Sequence, residues 1–179
     1  MRVLVISNLY PPHFIGGYEL GCRDVARELA RRGHHVAVLT STHGVAGPGD
    51  DAPVADSVMV RRALRHFIGE AQMPSAARQW RMNAANHALL ARMVREFKPD
   101  VIYIWNLSGV SLTLAFAAQR TGLPVCYYVS DLWLANWENE AERSLAERVA
   151  ARGWRAKLRA GLRPLLHLSG LRPHPRGSS

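Results

Sequence analysis

The fold of this chain is decided by its opening, residues 2–12 (RVLVISNLYPP), and by the nearby residues 16–19 (GGYE). The pattern predicts an apolar strand at 3–6, a loop broken by prolines that closes on two glycines, and a helix at 19–32. A helix that starts there presents free backbone N–H groups and a positive end beside the last residues of a strand. In an open α/β sheet, this is where a phosphorylated ligand binds.

Apolar strands alternate with amphipathic helices along the rest of the chain. We predict strands at 36–39, 57–61, 101–105 and 125–129, helices at 76–97, 112–121 and 141–166, a surface loop at 44–53 and a flexible tail at 169–179. The second helix comes after an N-cap at Ser75, and its positions at helical spacing are Trp80, Ala84, His87, Leu90 and Val94. Because apolar strands are separated by helices, we expect an α/β protein with a Rossmann-like, doubly wound parallel sheet.

Composition limits the class of protein. The chain has 179 residues, of which 48% are hydrophobic, so we expect one globular domain. No apolar run reaches the roughly 18 residues of a membrane span, and the opening strand does not have the layout of a signal peptide. We therefore expect a cytoplasmic protein. The two cysteines lack the spacing of a metal knuckle, and both Cys22 and Cys126 are expected to be buried thiols.

The net charge of +9 is concentrated near the C-terminus. Residues 141–179 carry nine basic and two acidic side chains, a net charge of +7, which leaves +2 for the other 140 residues. This distribution favours one local basic surface over a nucleic-acid-binding domain. Within 145–166, apolar residues and arginines fall largely on different faces of the predicted helix. That helix either packs its apolar stripe on the domain or binds an anionic membrane surface or a protein partner.

Polar residues come directly after the predicted strands, where a ligand would sit. They are Ser7, Asn8, Tyr10, Gly16, Gly17 and Glu19, then Thr40 and Ser41, then Asn106 and Ser108, then Ser130, Asp131 and Trp133. The two glycines either approach a phosphate or form a turn that needs positive φ. Glu19 and Asp131 have equally simple interpretations, as a first-turn acid and as a cap or loop acid. His13 lies in the proline-rich loop near the predicted cleft.

Several common types of site are missing from the sequence. The G-x-G-x-x-G fingerprint of NAD-binding folds is absent, since the glycines are adjacent and the second strand ends in Thr40-Ser41. No P-loop, metal triad or Ser-His-Asp order stands out, and we expect neither a metal nor a cofactor. A nucleotide-binding enzyme of another class, such as an epimerase, would have to bind NAD, and we expect no such binding.

The same residues resemble a known family. Residues 3–12, 16–19 and 25–34 (VARELARRGH) closely resemble the N-terminal domain of retaining GT-B glycosyltransferases of the family 4 type. Residues 99–103 (PDVIY) and 130–133 (SDLW) are similar to the later strands of that domain and the residues at their ends. The GT-B fold consists of two Rossmann-like domains that face a cleft, so the resemblance implies that this chain is one half of that architecture.

The resemblance covers about residues 1–137 and implies an activity. Residues 1–168 would form the N-terminal, acceptor-side domain, with 141–168 as its basic helical segment. The donor-binding C-terminal domain would lie outside this chain, which alone should be inactive. Enzymes of this family transfer a sugar, usually a hexose, from a nucleotide-diphosphate sugar to an acceptor, with retention of configuration and usually without a metal. A carbohydrate or lipid-linked acceptor is implied, and no nucleic acid.

Individual residues acquire roles by the same resemblance. Gly16 and Gly17 would approach the donor diphosphate, and Ser130 and Asp131 would lie at the catalytic position, where many members have a His in place of the serine. Contacts with the sugar or the acceptor would come from Glu19, His13, Asn106 and Tyr10. The enzyme would be cytoplasmic or peripheral on the inner membrane leaflet. The alternative hypothesis is a non-enzymatic Rossmann-like module that binds a membrane or a partner through its basic helix.

Overall fold

The computed structural model describes residues 1–44, 53–54, 57–70, 74–110 and 112–130, all within the first of two units of the chain, Met1–Asn136. The elements are β1 (Arg2–Ser7), α1 (Gly17–Arg31), β2 (His35–Ser41), β3 (Pro53–Val54), β4 (Val58–Leu64), α2 (Ala76–Phe97), β5 (Val101–Asn106), α3 (Thr113–Gln119) and β6 (Val125–Tyr127). Asp131, the helix predicted at 141–166 and the tail lie outside the described residues, as does most of the predicted loop 44–53.

A six-stranded sheet runs through the described residues in the order β3-β4-β2-β1-β5-β6. Strands β4, β2, β1, β5 and β6 are all parallel, and β1 lies between β2 and β5. This confirms the predicted α/β class and the Rossmann-like parallel sheet. The pairing at one edge differs from the prediction, because β3 pairs antiparallel with β4. Pro53 was expected in a loop but lies in this two-residue strand, which is too short to show a hydrophobic period.

Helices cover both faces of the sheet, as the doubly wound prediction requires. The side chains of β1 alternate between two apolar clusters. Val3 and Val5 pack with Cys22 of α1, whereas Leu4 and Ile6 pack in the cluster that contains residues of α2 and α3. Helix α1 therefore lies on one face, and α2 and α3 lie on the other. The carboxyl ends of the parallel strands all point to one edge, where the loops before α1 and α2 begin.

Helix α2 begins as predicted but buries a different face. The hydroxyl of Ser75 caps it by accepting the N–H of Arg78 at 3.4 Å. Its buried positions are Met82, Asn86, Leu90, Met93 and Phe97. Trp80 is instead 71% exposed. Two residues correspond to about 200° of helical rotation, so a side chain two positions before buried Met82 faces solvent. The predicted apolar set from Trp80 onward was therefore partly wrong.

The two cysteines differ in burial, which corrects the expectation that both are buried. Cys22 is buried under α1, but Cys126 is exposed. Along β6 the side chains alternate, so Cys126 faces away from Val125 and Tyr127, which pack against the core. Helix α1 packs on β1, β2, β4 and β5. Cys126 lies on the α1 side of the edge strand β6 and is exposed there.

Candidate functional site

The loops after β1, β2 and β5 are joined at the carboxyl edge of the sheet. The N–H of Asn8 donates to the carbonyl of Asn106 at 2.8 Å, and the N–H of Ser41 donates to the carbonyl of Asn8 at 3.3 Å. The side chains add to this network: Asn8 Nδ2 donates to the carbonyl of Ser108, and Asn106 Oδ1 accepts the N–H of Ser108. Both asparagines are buried. They hold the three loops together at the base of the candidate site.

Gly16 and Gly17, called here the glycine rim, stand at the start of α1 with open space around them. Gly16 is extended, with φ −155° and ψ −159°, and neither glycine has a positive φ. A Cβ built at either position would meet nothing within 4 Å. The alternative that these glycines serve a turn needing positive φ is therefore wrong. Neither the backbone conformation nor the described neighbours require glycine here. The absence of side chains instead leaves space for a ligand to approach the backbone.

Glu19 closes the loop that precedes α1. Its side chain is 4% exposed, and Oε2 accepts the N–H groups of Gly16 at 2.9 Å and of Ile15 at 3.3 Å. Two backbone donors before the helix are therefore already satisfied by this carboxylate. The N–H of Gly17, at the first helical position, has no acceptor within the part of the chain that the structure describes. Glu19 is placed to shape the glycine rim, and its predicted contact with sugar or acceptor stays a prediction.

Arg62 of β4 holds the other end of this loop, and sequence reasoning missed it. Its guanidinium donates to the carbonyl of Tyr10 at 2.9 Å and to the carbonyl of Pro11 at 2.6 Å. The residue is 8% exposed. The sequence signal that could have revealed it is its position in the strand. It comes two residues after Val60 and four after Val58, so its side chain falls on the buried side of the alternating strand. A charge at a buried strand position has to find polar partners, here two carbonyls of the opening loop.

The ring of Tyr10 lies in the apolar cluster beneath α1, with 2% of the residue exposed. Burial, followed by the neighbouring Cys22, raises the pKa of the Tyr10 phenol to about 12. Burial likewise raises the pKa of the Cys22 thiol, so both groups keep their protons near neutral pH. Tyr10 was predicted to contact sugar or acceptor. Its burial disfavours that role, which stays a prediction.

His13 is half-buried in the same loop. Its N–H donates to the carbonyl of Tyr10 at 3.2 Å. The imidazole lies against Gly44, where an added Cβ would fall 2.7 Å from the ring Cγ of His13. Gly44 also has a φ of +76°. Both this backbone conformation and the closeness of His13 therefore require glycine at this position. The loop after β2 thus lies against His13 at the carboxyl edge, and the predicted contact of His13 with sugar or acceptor stays a prediction.

Ser130 is brought close to the start of α1. Its main-chain N–H donates to the hydroxyl of Tyr18 at 2.7 Å. The ring of Tyr18 meets Tyr128 edge-on, with centroids 5.6 Å apart, and Tyr128 stacks on Trp105 at 4.1 Å. This aromatic chain ties the end of β6 to the residue after the glycine rim. Two parts of the predicted site that are over a hundred residues apart in sequence are therefore neighbours in space.

The described residues offer backbone donors, hydroxyls and amides in place of a cluster of metal ligands. Among them, no group of three or more His, Cys, Asp or Glu could hold a metal ion. None of the helices in that same part of the chain is long and apolar enough to cross a membrane. The polar groups at the carboxyl edge surround an open helix start, which suits a phosphorylated or hydroxyl-rich ligand.

A family model described as "Glycosyl transferase 4-like domain" matches residues 16–170. The chain belongs to this family. Together with the fold, the match confirms the resemblance to the N-terminal domain of GT-B glycosyltransferases of the family 4 type. It begins at the glycine rim, so the open helix start is part of the glycosyl transferase 4-like domain itself.

Two further proteins are similar to this glycosyl transferase 4-like domain. One, from Klebsiella pneumoniae, is described as an uncharacterized 42.6 kDa protein in cps region, and is 23% identical over 166 residues. The match covers 86% of this chain but 44% of that protein, so the chain spans less than half of its curated relative. The other is the structure of sucrose-phosphate synthase from Thermosynechococcus elongatus, with a TM-score of 0.52 and 12% identity over 76% of this chain and 35% of that one. At that identity the structural likeness shows the fold alone.

The residues predicted for the site fall into two groups in this glycosyl transferase 4-like domain. The glycine rim and Ser130 are exposed at one edge, and His13 is half-buried in the adjoining loop. The side chains of Glu19, Asn106 and Tyr10 are instead buried and hold backbone or core. Asp131 lies outside the described residues. The structure therefore brings an accessible subset together and places the remaining described residues behind it.

Proposed function

We propose that this glycosyl transferase 4-like domain is the acceptor-side half of a glycosyltransferase that takes a sugar from a nucleotide-diphosphate sugar with retention of configuration. The proposed acceptor is a carbohydrate or a lipid-linked molecule, and neither a metal nor another cofactor takes part. The proposal includes a hexose as the transferred sugar and an inactive isolated domain, since the donor-binding half would lie outside this chain.

The open glycine rim at the start of α1 carries this proposal. Gly17 offers an N–H without an acceptor in the described part of the chain, and nothing within 4 Å would prevent a diphosphate from approaching the backbone. A departing diphosphate gains negative charge in the transition state, and backbone donors at a helix N-terminus stabilise that charge. Glu19 takes up the N–H groups of Ile15 and Gly16, so it fixes the direction in which the rim opens.

Ser130 would face the transferred sugar in this scheme. Its N–H is engaged by Tyr18, but its exposed position beside the rim leaves the hydroxyl able to donate to, or accept from, a sugar hydroxyl. A serine cannot carry positive charge as a histidine can, so we propose a positioning role for Ser130 and no proton transfer. Placement on the cytoplasmic face of the membrane through residues 145–166 is part of the proposal, and those residues lie outside the described structure.

The test is sugar transfer by the complete protein that contains this chain, measured over a panel of nucleotide-diphosphate sugars. Gly17→Val should lower kcat/KM by about 100-fold or more, because the new side chain occupies the space that the diphosphate needs. The anomeric configuration of the product, read by NMR, tests retention.

Gly21→Ala is the matched control. It adds a side chain in the same helix one turn further on, where the new Cβ would make an ordinary 3.5 Å contact with the ring of Trp105. Circular dichroism should show both variants folded. Full turnover by Gly17→Val would refute the role of the rim, and no transfer from any donor by the complete wild-type protein would refute the proposed activity.

A further inference from the structure

An open cavity lies at the carboxyl edge, on the opposite face of the sheet from the glycine rim. It has a volume of about 490 Å³, within the range of small-molecule sites, and is lined by Thr42, Arg65, His66, Arg78, Arg81 and Met82. Its walls come from the loop after β2, the loop after β4 and the first turns of α2. We call it the α2 cavity. None of its residues was singled out by the sequence as a site residue.

Positive charge in the α2 cavity exceeds the negative charge near it. Among the described residues that line it, three of six are arginines and none is acidic. Glu70, the nearby carboxylate, is bound by Arg78 through two hydrogen bonds of 2.6 Å. Within the described part of the chain, the guanidinium groups of Arg65 and Arg81 have neither an ion pair nor a hydrogen bond. Two cations on the wall of one cavity thus lack a counter-charge among the described residues.

The position of Arg65 is held from within the core. Asn86 of α2 is fully buried, and its side chain makes a reciprocal pair of hydrogen bonds with the main chain of Arg65. Oδ1 accepts the N–H of Arg65 at 2.8 Å, and Nδ2 donates to its carbonyl at 3.0 Å. A buried amide that satisfies both groups of one residue fixes the loop after β4 to α2. The cation therefore projects from an anchored backbone, unlike one on a loose surface loop.

His66 and Thr42 add uncharged donors to the wall. Nδ1 of His66 accepts the N–H of Ile68 at 3.2 Å, so in the neutral ring the proton is on Nε2, which is a donor. Burial, followed by His43, whose ring centroid is 5.2 Å away, lowers the pKa of His66. Glu70 acts in the opposite direction and Arg78 in the same one. The described lining is thus rich in donors, and Thr42 Oγ1 is the one side-chain oxygen among its residues.

We infer that the α2 cavity binds an oxyanion, a phosphate or a carboxylate, carried by the acceptor, with Arg65 and Arg81 as its cationic ligands. This inference rests on the proposed function and names the acceptor class as acidic. The donor diphosphate and the acceptor anion then occupy separate sites on opposite faces of the same edge. That separation keeps two anionic substrates from competing for one set of donors.

Isothermal titration of the 179-residue chain with inorganic phosphate tests this without any transfer activity. We expect saturable binding that Arg81→Gln or Arg65→Gln weakens by about tenfold or more, because each removes a charge-assisted hydrogen bond. Both arginines are exposed, so the variants should fold, which circular dichroism checks. Acetate is titrated in parallel. Tighter binding of acetate than of phosphate, with the same dependence on Arg81, assigns a carboxylate; the reverse order assigns a phosphate.

Arg95→Gln is the matched control, since it removes an exposed arginine from the same helix, fourteen residues or about 21 Å further along. Gly17→Val removes any phosphate that binds at the glycine rim. Arg95→Gln should bind phosphate as the wild type does, and Gly17→Val should keep the binding that depends on Arg81. The inference fails if the wild type shows no saturable binding, if Arg95→Gln loses as much affinity as Arg81→Gln, or if Gly17→Val alone abolishes binding. The last outcome would leave the proposed function intact.

Discussion

Replacing Arg62 by methionine should destabilise the opening loop and the domain together. The guanidinium makes two hydrogen bonds to main-chain carbonyls, those of Tyr10 and Pro11, and is nearly inaccessible to solvent. Methionine fills a similar volume without a donor, so the change isolates the polar contacts from the packing. Tyr10 keeps a second donor, the N–H of His13, whereas the carbonyl of Pro11 loses its charged partner.

The expected cost can be worked out from these contacts. A hydrogen bond to a charged group contributes about 1.5–3 kcal/mol, and the apolar burial of methionine returns part of that. We therefore expect Arg62→Met to lower the free energy of unfolding by about 2–3 kcal/mol. For a chain of this size, that lowers Tm by about 5–10 °C. The free energy of unfolding of Arg62→Lys should lie between those of Arg62→Met and the wild type, because lysine keeps the charge but reaches the two carbonyls less well.

Urea and thermal unfolding followed by circular dichroism measure this loss. The amide exchange rates of the loop residues should increase in the same variant, because the hydrogen bonds of Arg62 no longer restrain the loop. Arg95→Met is the control, an exposed arginine whose replacement should cost less than about 0.5 kcal/mol. If Arg62→Met is as stable as Arg95→Met, the reasoning that a buried cation holds the opening loop is refuted.

Two further predictions concern titratable groups. A thiol reagent at pH 8 should modify Cys126 in the folded chain and Cys22 after unfolding, because burial raises the pKa of the latter; modification of both at the same rate would contradict the assigned burial. The pKa of Tyr10 is raised to about 12 in the folded state, so its contribution to stability is present below about pH 10 and is lost as the pH rises through 12, on the order of 2–3 kcal/mol. Tyr10→Phe should remove that part of the alkaline loss in unfolding experiments, and an unchanged pH profile would disprove it.

The order of strands and helices could be predicted because each element carries its own periodicity. The run at 3–6 is apolar throughout, as a parallel strand buried on both faces must be, and helix α1 is terminated at Gly33, whose φ of +83° suits glycine. The placement of the glycine rim at a strand-to-helix junction is set by the same local signals. These features need no knowledge of distant residues, which is why the sequence was sufficient for them.

The features that sequence reasoning missed depend on distant contacts. Arg62 lies over fifty residues from the carbonyls that it binds, and the α2 cavity combines residues from two loops and a helix. The exposure of Cys126 depends on its place in the edge strand β6, and the exposure of Trp80 depends on the rotation of α2. A carboxylate in the loop after a strand suggested that Glu19 contacts a ligand. The residue type alone, however, does not distinguish a carboxylate that binds a ligand from one that accepts hydrogen bonds from the backbone.

Two buried charges of opposite sign explain how the opening loop keeps its shape without regular secondary structure. Arg62 binds carbonyls at the start of this loop, and Glu19 binds N–H groups at its end. A loop that must leave backbone donors exposed to a ligand cannot satisfy itself by pairing, so its remaining polar groups need partners from elsewhere. Glu19 and Arg62 are therefore buried supports of the loop, and in the proposed function the diphosphate would meet the glycine backbone between them.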